Sequence, residues 1–470
     1  MTNYDFIIIG GGSAGYAAAR TASGLGLKTL VVEGGKEVGG LCILRGCMPS
    51  KTLIESANRF LTLRHASEFG LRADGIGFDG HEIIARKRRL IGEFADYRRE
   101  QLENGKFDFL RGRAVFTSSH AITVKLEDGS QRELKARSFL ISTGSIISSP
   151  PVPGLKEAEC LTSDTVLDLA EIPESIIVLG AGPVALEMAH YFNGLNRRVT
   201  VIQRSGQLLK GVDEDVAEAV EMAFRKRGME IFTSTKILRL EKEGESRRVI
   251  FEHEGGEKKI EAAAILNGLG RQPNSANLGL DQAGIKFDGG AVKVNLHQQT
   301  TLPHIFAAGD CSGPFEVVHI AVEQGELAAR NAARILSGKE TPPLDSMDYR
   351  LKLYAVFTEP QVAAVGLSEA EAREKGYKIL TASYPFNDHG KSLVMNETDG
   401  FVKLIVEAAT REILGASVVG PHASDLIHEV VVAMRFRATA GQFASVPHYH
   451  PTLSEIWTYP AEELAELGKL

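Results

Sequence analysis

Cysteine is scarce in this chain, at four in 470 residues, too few and too scattered for the disulfide framework that staples small secreted domains. There is no run of about eighteen or more apolar residues, so no membrane-spanning helix and no membrane partner are expected. A large excess of basic charge is missing as well. The net charge is −7, which gives no global reason to expect nucleic acid as a partner. The N-terminus enters the apolar run Phe6–Ile9 without a basic region, a long apolar stretch or a small-residue cleavage site, so no secretory signal is expected and a cytoplasmic location is. Low-complexity tracts are absent too. What remains is a chain that is 43% hydrophobic, long enough for two to four domains with real cores.

Two of the scarce cysteines stand close together in GGLCILRGCMPSKT (residues 39–52), at Cys42 and Cys47. They could be buried packing residues, metal ligands, or a disulfide that is made and broken. A regular helix would separate their Cα atoms by roughly 7.5 Å, beyond the ~7 Å a disulfide tolerates. A bridge therefore requires a distorted turn, which Gly46 and Pro49 could supply. Zinc is disfavoured, because the other cysteines, Cys160 and Cys311, sit in unrelated segments and form no second pair. Those two read as bystander thiols.

The stretch YDFIIIGGGSAGYAAARTASGLGLKTLVVE runs from an apolar strand through Gly10-Gly11-Gly12-Ser13-Ala14-Gly15 into an Ala-rich helix and a second strand ending in Glu33. Gly10 permits the tight turn, Gly12 lets backbone approach a pyrophosphate, and Gly15 allows close helix–strand packing. The helix N-terminus offers free N–H groups to phosphate, and Glu33 can accept hydrogen bonds from a ribose diol. A second opening, SIIVLGAGPVALEMAHYFNGLNRRVTVIQRS, places Gly180, Gly182 and Ala185 at the corresponding positions. Its second strand ends in Gln203-Arg204, with Lys210 six residues on. An acid there would hold the 2′-hydroxyl of NAD, whereas a cation suits a 2′-phosphate, so NADP is expected ahead of NAD. Two openings imply two dinucleotides, and a cysteine pair just after the first Glu narrows the field.

At this point the chain resembles the flavin-dependent pyridine nucleotide–disulfide oxidoreductases along essentially its whole length. GGLCILRGCMPSK is similar to the family's redox-active helix. RGRAVF (111–116) and ISTGS (141–145) resemble the segments closing the FAD site, which brings in Ala114, Thr143 and Gly144. GLGRQPN (268–274), with Gly270, and TTLPHIFAAGDCSG (300–313) resemble the return from the nucleotide domain and the segment whose acid, Asp310, reaches the ribityl chain. The resemblance implies that backbone through Val317, Val318 and His319 lies along the flavin ring. It also implies that Cys47 is the flavin-side thiol, Cys42 the thiol that exchanges with substrate, and His450 the general base, oriented by Glu455 and reaching across a homodimer. Lys51 would sit near the flavin and pair with Glu187. His448 is read as structural or as a helper to His450.

The implied fold class is α/β, with two Rossmann-like domains for FAD and NAD(P) and a C-terminal α+β dimerisation domain. The expected boundaries are 1–149 with 275–341 for the FAD and central domain, 150–274 for the NAD(P) domain and 342–470 for the interface domain. The implied activity is electron transfer between NAD(P)(H), FAD, the Cys42–Cys47 pair and a small or protein-borne dithiol or disulfide. HPTLSE near the C-terminus is most like dihydrolipoamide dehydrogenases, so a lipoyl group, free or on a lipoyl domain, is the leading substrate. The alternatives are an NADPH-dependent reductase of a glutathione-type disulfide, a quinone or a metal ion, and a non-catalytic nucleotide-sensing protein. The intact Cys42, Cys47, His450 and Glu455 set weighs against the last of these.

Four residues depart from the family pattern: Leu41 for a usual Thr, Leu44 for a usual Asn, Pro183 where glutathione reductase has a Tyr lid, and Gln203 for the acid of an NAD-dependent lipoamide enzyme. Arg20 falls where glutathione reductases hold a substrate-contacting Arg. The basic run ARKRRLIGEFADYRRE (85–100) reads as a solvated helical face, with a docking patch for an acidic carrier, through Arg86 and Arg89, as the alternative.

Overall fold

The computed structural model describes residues 4–338 and 343–467; the boundary expected at 341/342 lies outside the described residues. The chain divides into two compact units. The first runs to Thr52 and adds Ile84–Ser148 and Arg271–Asp348; the second takes Leu53–Ile83, Ser149–Gly270 and the chain from Tyr349 onward.

In the first unit, β1 (Tyr4–Ile9) leads through α1 (Ser13–Gly24) to β2 (Thr29–Glu33). Then come α2 (Gly40–Leu44), α3 (Cys47–Arg64), of which the part to Thr52 belongs to this unit, α4 (Gly80–Glu103), which belongs to it from Ile84, β3 (Asp108–Arg111), β4 (Arg113–Ser118), β5 (Ala121–Lys125) and β6 (Gln131–Ile141). The parallel order is β3-β2-β1-β6, closed by Ile305–Ala307 beside β6. The first half of β6 turns away into an antiparallel meander with β5 and β4. Phe6 and Ile8 pack with α1 and the helix Val318–Ser337, while Ile7 and Ile9 pack against the meander side. With both faces covered, β1 reads as an unbroken apolar run instead of an alternating one. Alanines along α1 and Gly325 on the helix Val318–Ser337 let the two helices touch, since a Cβ on Gly325 would collide with the Ala14 carbonyl.

The second unit repeats the plan with β7 (Ser175–Leu179), α5 (Pro183–Gly194), β8 (Arg198–Ile202), α6 (Glu214–Lys226), β9 (Glu230–Phe232) and β10 (Ala264–Asn267). The parallel order is β9-β8-β7-β10, with Leu161–Thr162 at the edge. A second sheet in this unit is five-stranded and antiparallel, built from Leu353–Val356, Gln361–Gly366, Ile413–Gly420, Phe401–Glu407 and Ile379–Pro385. The helix Ala423–Arg435 packs on it. The chain's single Trp, Trp457, is fully buried there and donates Nε1–H to the Leu426 carbonyl at 3.2 Å. Burying a large apolar side chain stabilises by about 1.5–3 kcal/mol, which is why the strands of this sheet are so apolar. The fold is α/β with two Rossmann-like parallel sheets and an α+β C-terminal portion.

Candidate active site

The two cysteines meet because the helix between them breaks. Helix α2 ends at Arg45, whose φ of −140° leaves the helical region, and α3 starts afresh at Cys47. Gly46 is needed at the break, since a Cβ there would lie 3.0 Å from the Leu41 carbonyl oxygen and 3.3 Å from the Cys42 Cα. Pro49 falls in the first turn of α3, where a missing N–H goes unnoticed. Ser50 closes that turn, its hydroxyl donating to the Gly46 carbonyl at 2.8 Å. The distorted turn that a bridge requires is therefore present. It brings the half-buried thiols of Cys42 and Cys47 into hydrogen-bonding contact. That hydrogen bond, together with burial, pushes the Cys42 thiol far above its ordinary range, while the cations of Lys51 and Arg98 oppose the rise. A sulfur beside a thiolate keeps its proton. Cys47 stands at the N-terminus of an 18-residue helix, the position that favours the anion. Lys51 lies one turn further along α3.

Around Cys42 the surface is apolar apart from the cations of Lys51 and Arg98. Leu41, Ile43 and Leu44 are half-exposed. Arg98, half-buried on α4, lies over the Tyr16 ring at 4.2 Å from its centroid. Its hydrogen bond runs from Nε to Gln101 Oε1 at 3.2 Å, and it has no carboxylate partner among the described residues. This placement is not legible in the sequence, where Arg98 is one charge among many in the basic run. That run is also less solvated than its spacing suggests. Lys87 is buried at 4% exposure, and Arg86 donates to the Thr52 carbonyl at 3.1 Å. Arg86 is half-buried and Lys87 buried, leaving Arg88 and Arg89 exposed. Arg20 is engaged by Glu326 at 2.8 Å.

The first dinucleotide opening is built as its spacing implies. Gly10 has φ +106°, and neither Gly10 nor Gly15 has room for a Cβ. Gly12 caps α1 with no side-chain acceptor, so the first N–H groups of that helix are open to a ligand. Glu33 ends β2 and accepts from the Gly11 N–H at 2.8 Å and the Gly35 N–H at 2.6 Å. Asp310 accepts from the Ser145 hydroxyl at 2.6 Å, and Arg271 donates to that hydroxyl at 2.8 Å. Thr143 Oγ1 is buried with no hydrogen-bond partner, next to Gly144 with φ +69°. Ala114 is buried in the core, leaving its backbone as the part that a cofactor could meet. Val317 caps the helix Val318–Ser337 without a side-chain acceptor, which places Val318 and His319 in the first turn of that helix. An open helix end, an orphaned hydroxyl and an anchored acid in one unit fit FAD. Cys311 is core, its thiol donating to backbone, and burial pushes Cys160 up to about 11.

In the second opening Gly180 has φ +94° and no room for a Cβ, Gly182 caps α5 with no side-chain acceptor, and Pro183 occupies its first position. Ala185 is buried against Gly268, and Gly270 has φ +102°. Gln203 is occupied by its own loop, with Nε2 donating to Ser205 Oγ at 2.6 Å and Oε1 accepting the Arg204 N–H at 3.2 Å. Arg204 and Lys210 are exposed, with no ion-pair partner among the described residues. Glu187, on α5, is buried and accepts from the Phe357 N–H at 3.1 Å.

His450 directs Nδ1 at Glu455, 3.0 Å from Oε2 and 3.2 Å from Oε1. This fixes the tautomer that leaves Nε2 as a free base. The imidazole is 78% exposed, the carboxylate 11%. His448 has a partner of its own, Glu429 Oε1 at 2.6 Å.

The model of the pyridine nucleotide-disulphide oxidoreductase family matches residues 4–325, and that of the family's dimerisation domain matches residues 353–461. A dihydrolipoyl dehydrogenase of Chlamydia muridarum is 34% identical over 461 residues, covering 97% of this chain and 96% of that protein. A mercuric reductase of Bacillus cereus is 33% identical over 455 residues, covering 96% of this chain and 70% of that protein. Among solved structures, the Cu(II) complex of the HOCl-induced flavoprotein disulfide reductase RclA from Escherichia coli matches with a TM-score of 0.85 at 27% identity, covering 98% of this chain and 100% of that one. This chain belongs to the FAD-dependent pyridine nucleotide-disulphide oxidoreductases, and is a flavoprotein disulfide oxidoreductase that carries the family's dimerisation domain.

Proposed function

We propose that the protein is a homodimeric, NADP-linked dithiol–disulfide oxidoreductase acting on a compact apolar disulfide of the lipoamide class, free or protein-borne. The observation that carries this reading is the hydrogen-bonded Cys42–Cys47 dithiol at the start of α3. FAD, when bound, supplies a two-electron relay between a nicotinamide and that dithiol. The groups proposed to hold it are the α1 N-terminus with Gly10, Gly12 and Gly15, together with Glu33, Thr143, Asp310 and the backbone from Val317 to His319. Lys51 and Glu187 are each assigned a flavin-side role. Arg204 and Lys210, both exposed, suit a 2′-phosphate, whereas Gln203 is taken up by its own loop.

Cys47 keeps the negative charge at the helix end, and Cys42 keeps its proton until a base removes it. His450 is assigned as that base. Its exposure, shared by the adjacent Tyr449 (82% exposed), suits a face completed by a second copy of the chain. Leu41, Ile43 and Leu44 offer the apolar wall for the substrate. The similarity to dihydrolipoyl dehydrogenases supports the lipoamide class. The test is Cys42→Ser assayed with lipoamide, glutathione disulfide and a quinone against NADPH and NADH. Lipoamide turnover should fall by on the order of a thousandfold, while quinone reduction survives. Lipoamide turnover at the wild-type rate in that variant would refute the mechanism.

A further inference from the structure

Glu455 is faced by a second imidazole. His389 lies between the turn Phe386–Asp388 and the short helix Gly390–Met395, and it is wholly buried. Its Nδ1 is 2.9 Å from the buried Ser392 hydroxyl, and its Nε2 is 3.4 Å from Glu455 Oε1. That Nε2 makes no hydrogen bond of ordinary geometry to any described residue. The other groups around it are accounted for. Phe386 stands edge-on to the ring with centroids 6.4 Å apart, and Asp388 is taken up by the Tyr384 hydroxyl at 2.9 Å. The charged or titratable groups acting on His389 are Glu455 and, behind it, His450.

One tautomer makes both neighbours favourable: Ser392 donates to Nδ1, and Nε2–H faces the carboxylate. Burial lowers the affinity of this imidazole for a second proton, even beside an acid. It is therefore a neutral donor at neutral pH.

We propose that His389 is a positioning residue for the His450–Glu455 dyad, its Nε2–H sharing the Glu455 carboxylate with His450 Nδ1–H and thereby lowering the basicity of His450. A carboxylate divided between two donors stabilises an imidazolium less than one devoted to a single donor. The proposal rests on the reading of His450 as the base.

The test uses the flavin-loaded dimer. The pH profiles of kcat/KM for disulfide reduction, and of Cys42 alkylation by iodoacetamide after NADPH reduction, are compared for wild type, His389→Phe and His389→Gln. In His389→Phe the acid limb should move up by about half to one pH unit. In His389→Gln, which keeps an N–H donor, it should stay within about 0.3 unit of wild type. Ser392→Ala leaves the ring in place but frees the other tautomer, so it should move the limb in the same direction by less, and it serves if His389→Phe fails to hold flavin. Unmoved or lowered limbs in His389→Phe and Ser392→Ala overturn the proposal, as does a His389→Gln limb displaced as far as that of His389→Phe. His450→Gln separates the two levels: wild-type disulfide turnover in that variant removes the dyad reading itself, whereas its loss alongside unmoved His389 profiles removes the positioning role alone.

Discussion

The two dinucleotide openings share a backbone plan and differ at the end of the second strand. In the first, Glu33 ties the glycine loop to the strand through the Gly11 and Gly35 N–H groups. In the second, Gln203 folds onto Ser205 and Gln207 of its own loop, and Arg204 and Lys210 stay exposed. The first strand end is thus a structural clamp as well as the proposed ribose contact, while at the second the proposed phosphate contacts are exposed cations. Charge at one position decides which. A carboxylate attracts backbone donors strongly enough to hold a loop, and a neutral amide meets its needs locally.

The comparison breaks most easily at Glu33. Glu33→Ala strands two N–H groups as well as a ribose partner, and charge-assisted hydrogen bonds are worth about 1.5–3 kcal/mol each. FAD affinity should weaken by about two orders of magnitude, read by flavin absorbance after dialysis. Gln203→Ala should weaken NADPH by less than about tenfold, since its side-chain bonds are internal to the loop. Equal losses in the two variants would end the distinction. Next in size is the double variant Arg204→Ala with Lys210→Ala. Its kcat/KM for NADPH should fall by about ten- to a hundredfold while that for NADH stays within about twofold. A parallel fall with both nucleotides would mean that the cations do not read the 2′-phosphate.

Much of this was legible in the sequence because its signals are local. Glycine spacing, Glu33 at a strand end and the break that Gly46 and Pro49 impose all act within a few residues of each other. Family resemblance along the whole chain supplied the proposed roles for Asp310 and for His450 with Glu455. What local pattern could not supply was contact at long sequence distance. Arg98 comes to Cys42 from 56 residues away, and His389 faces Glu455 across 66; neither spacing has a period to detect. Lys87 shows the same failure in burial. A charge run with helical spacing predicts a solvated face, and tertiary packing instead took its single lysine inside.

The two fingerprint helices differ in acid sensitivity as well, and this is the smallest effect expected. Helix α1 is rich in alanine and carries no histidine. Helix α5 carries His190, fully buried, with Nε2 2.7 Å from Asn58 Oδ1 and Nδ1 3.0 Å from Arg227 Nη1. Arg227 donates to Nδ1, so a proton arriving there would displace that bond and face a guanidinium. Burial first, and Arg227 second, hold the His190 pKa well below its ordinary value. The unfolded chain therefore binds a proton that the native state refuses. Above about pH 6.5 His190 is neutral in both states and the effect vanishes, while below it stability should fall by about 1.4 kcal/mol per pH unit. His190→Gln should cost some stability at pH 7.5, yet show a shallower loss between pH 6.5 and 5.5. Urea midpoints of the second unit's transition, followed by Trp457 fluorescence, measure both, and identical pH slopes in the two proteins would show that His190 accepts its proton in the native state.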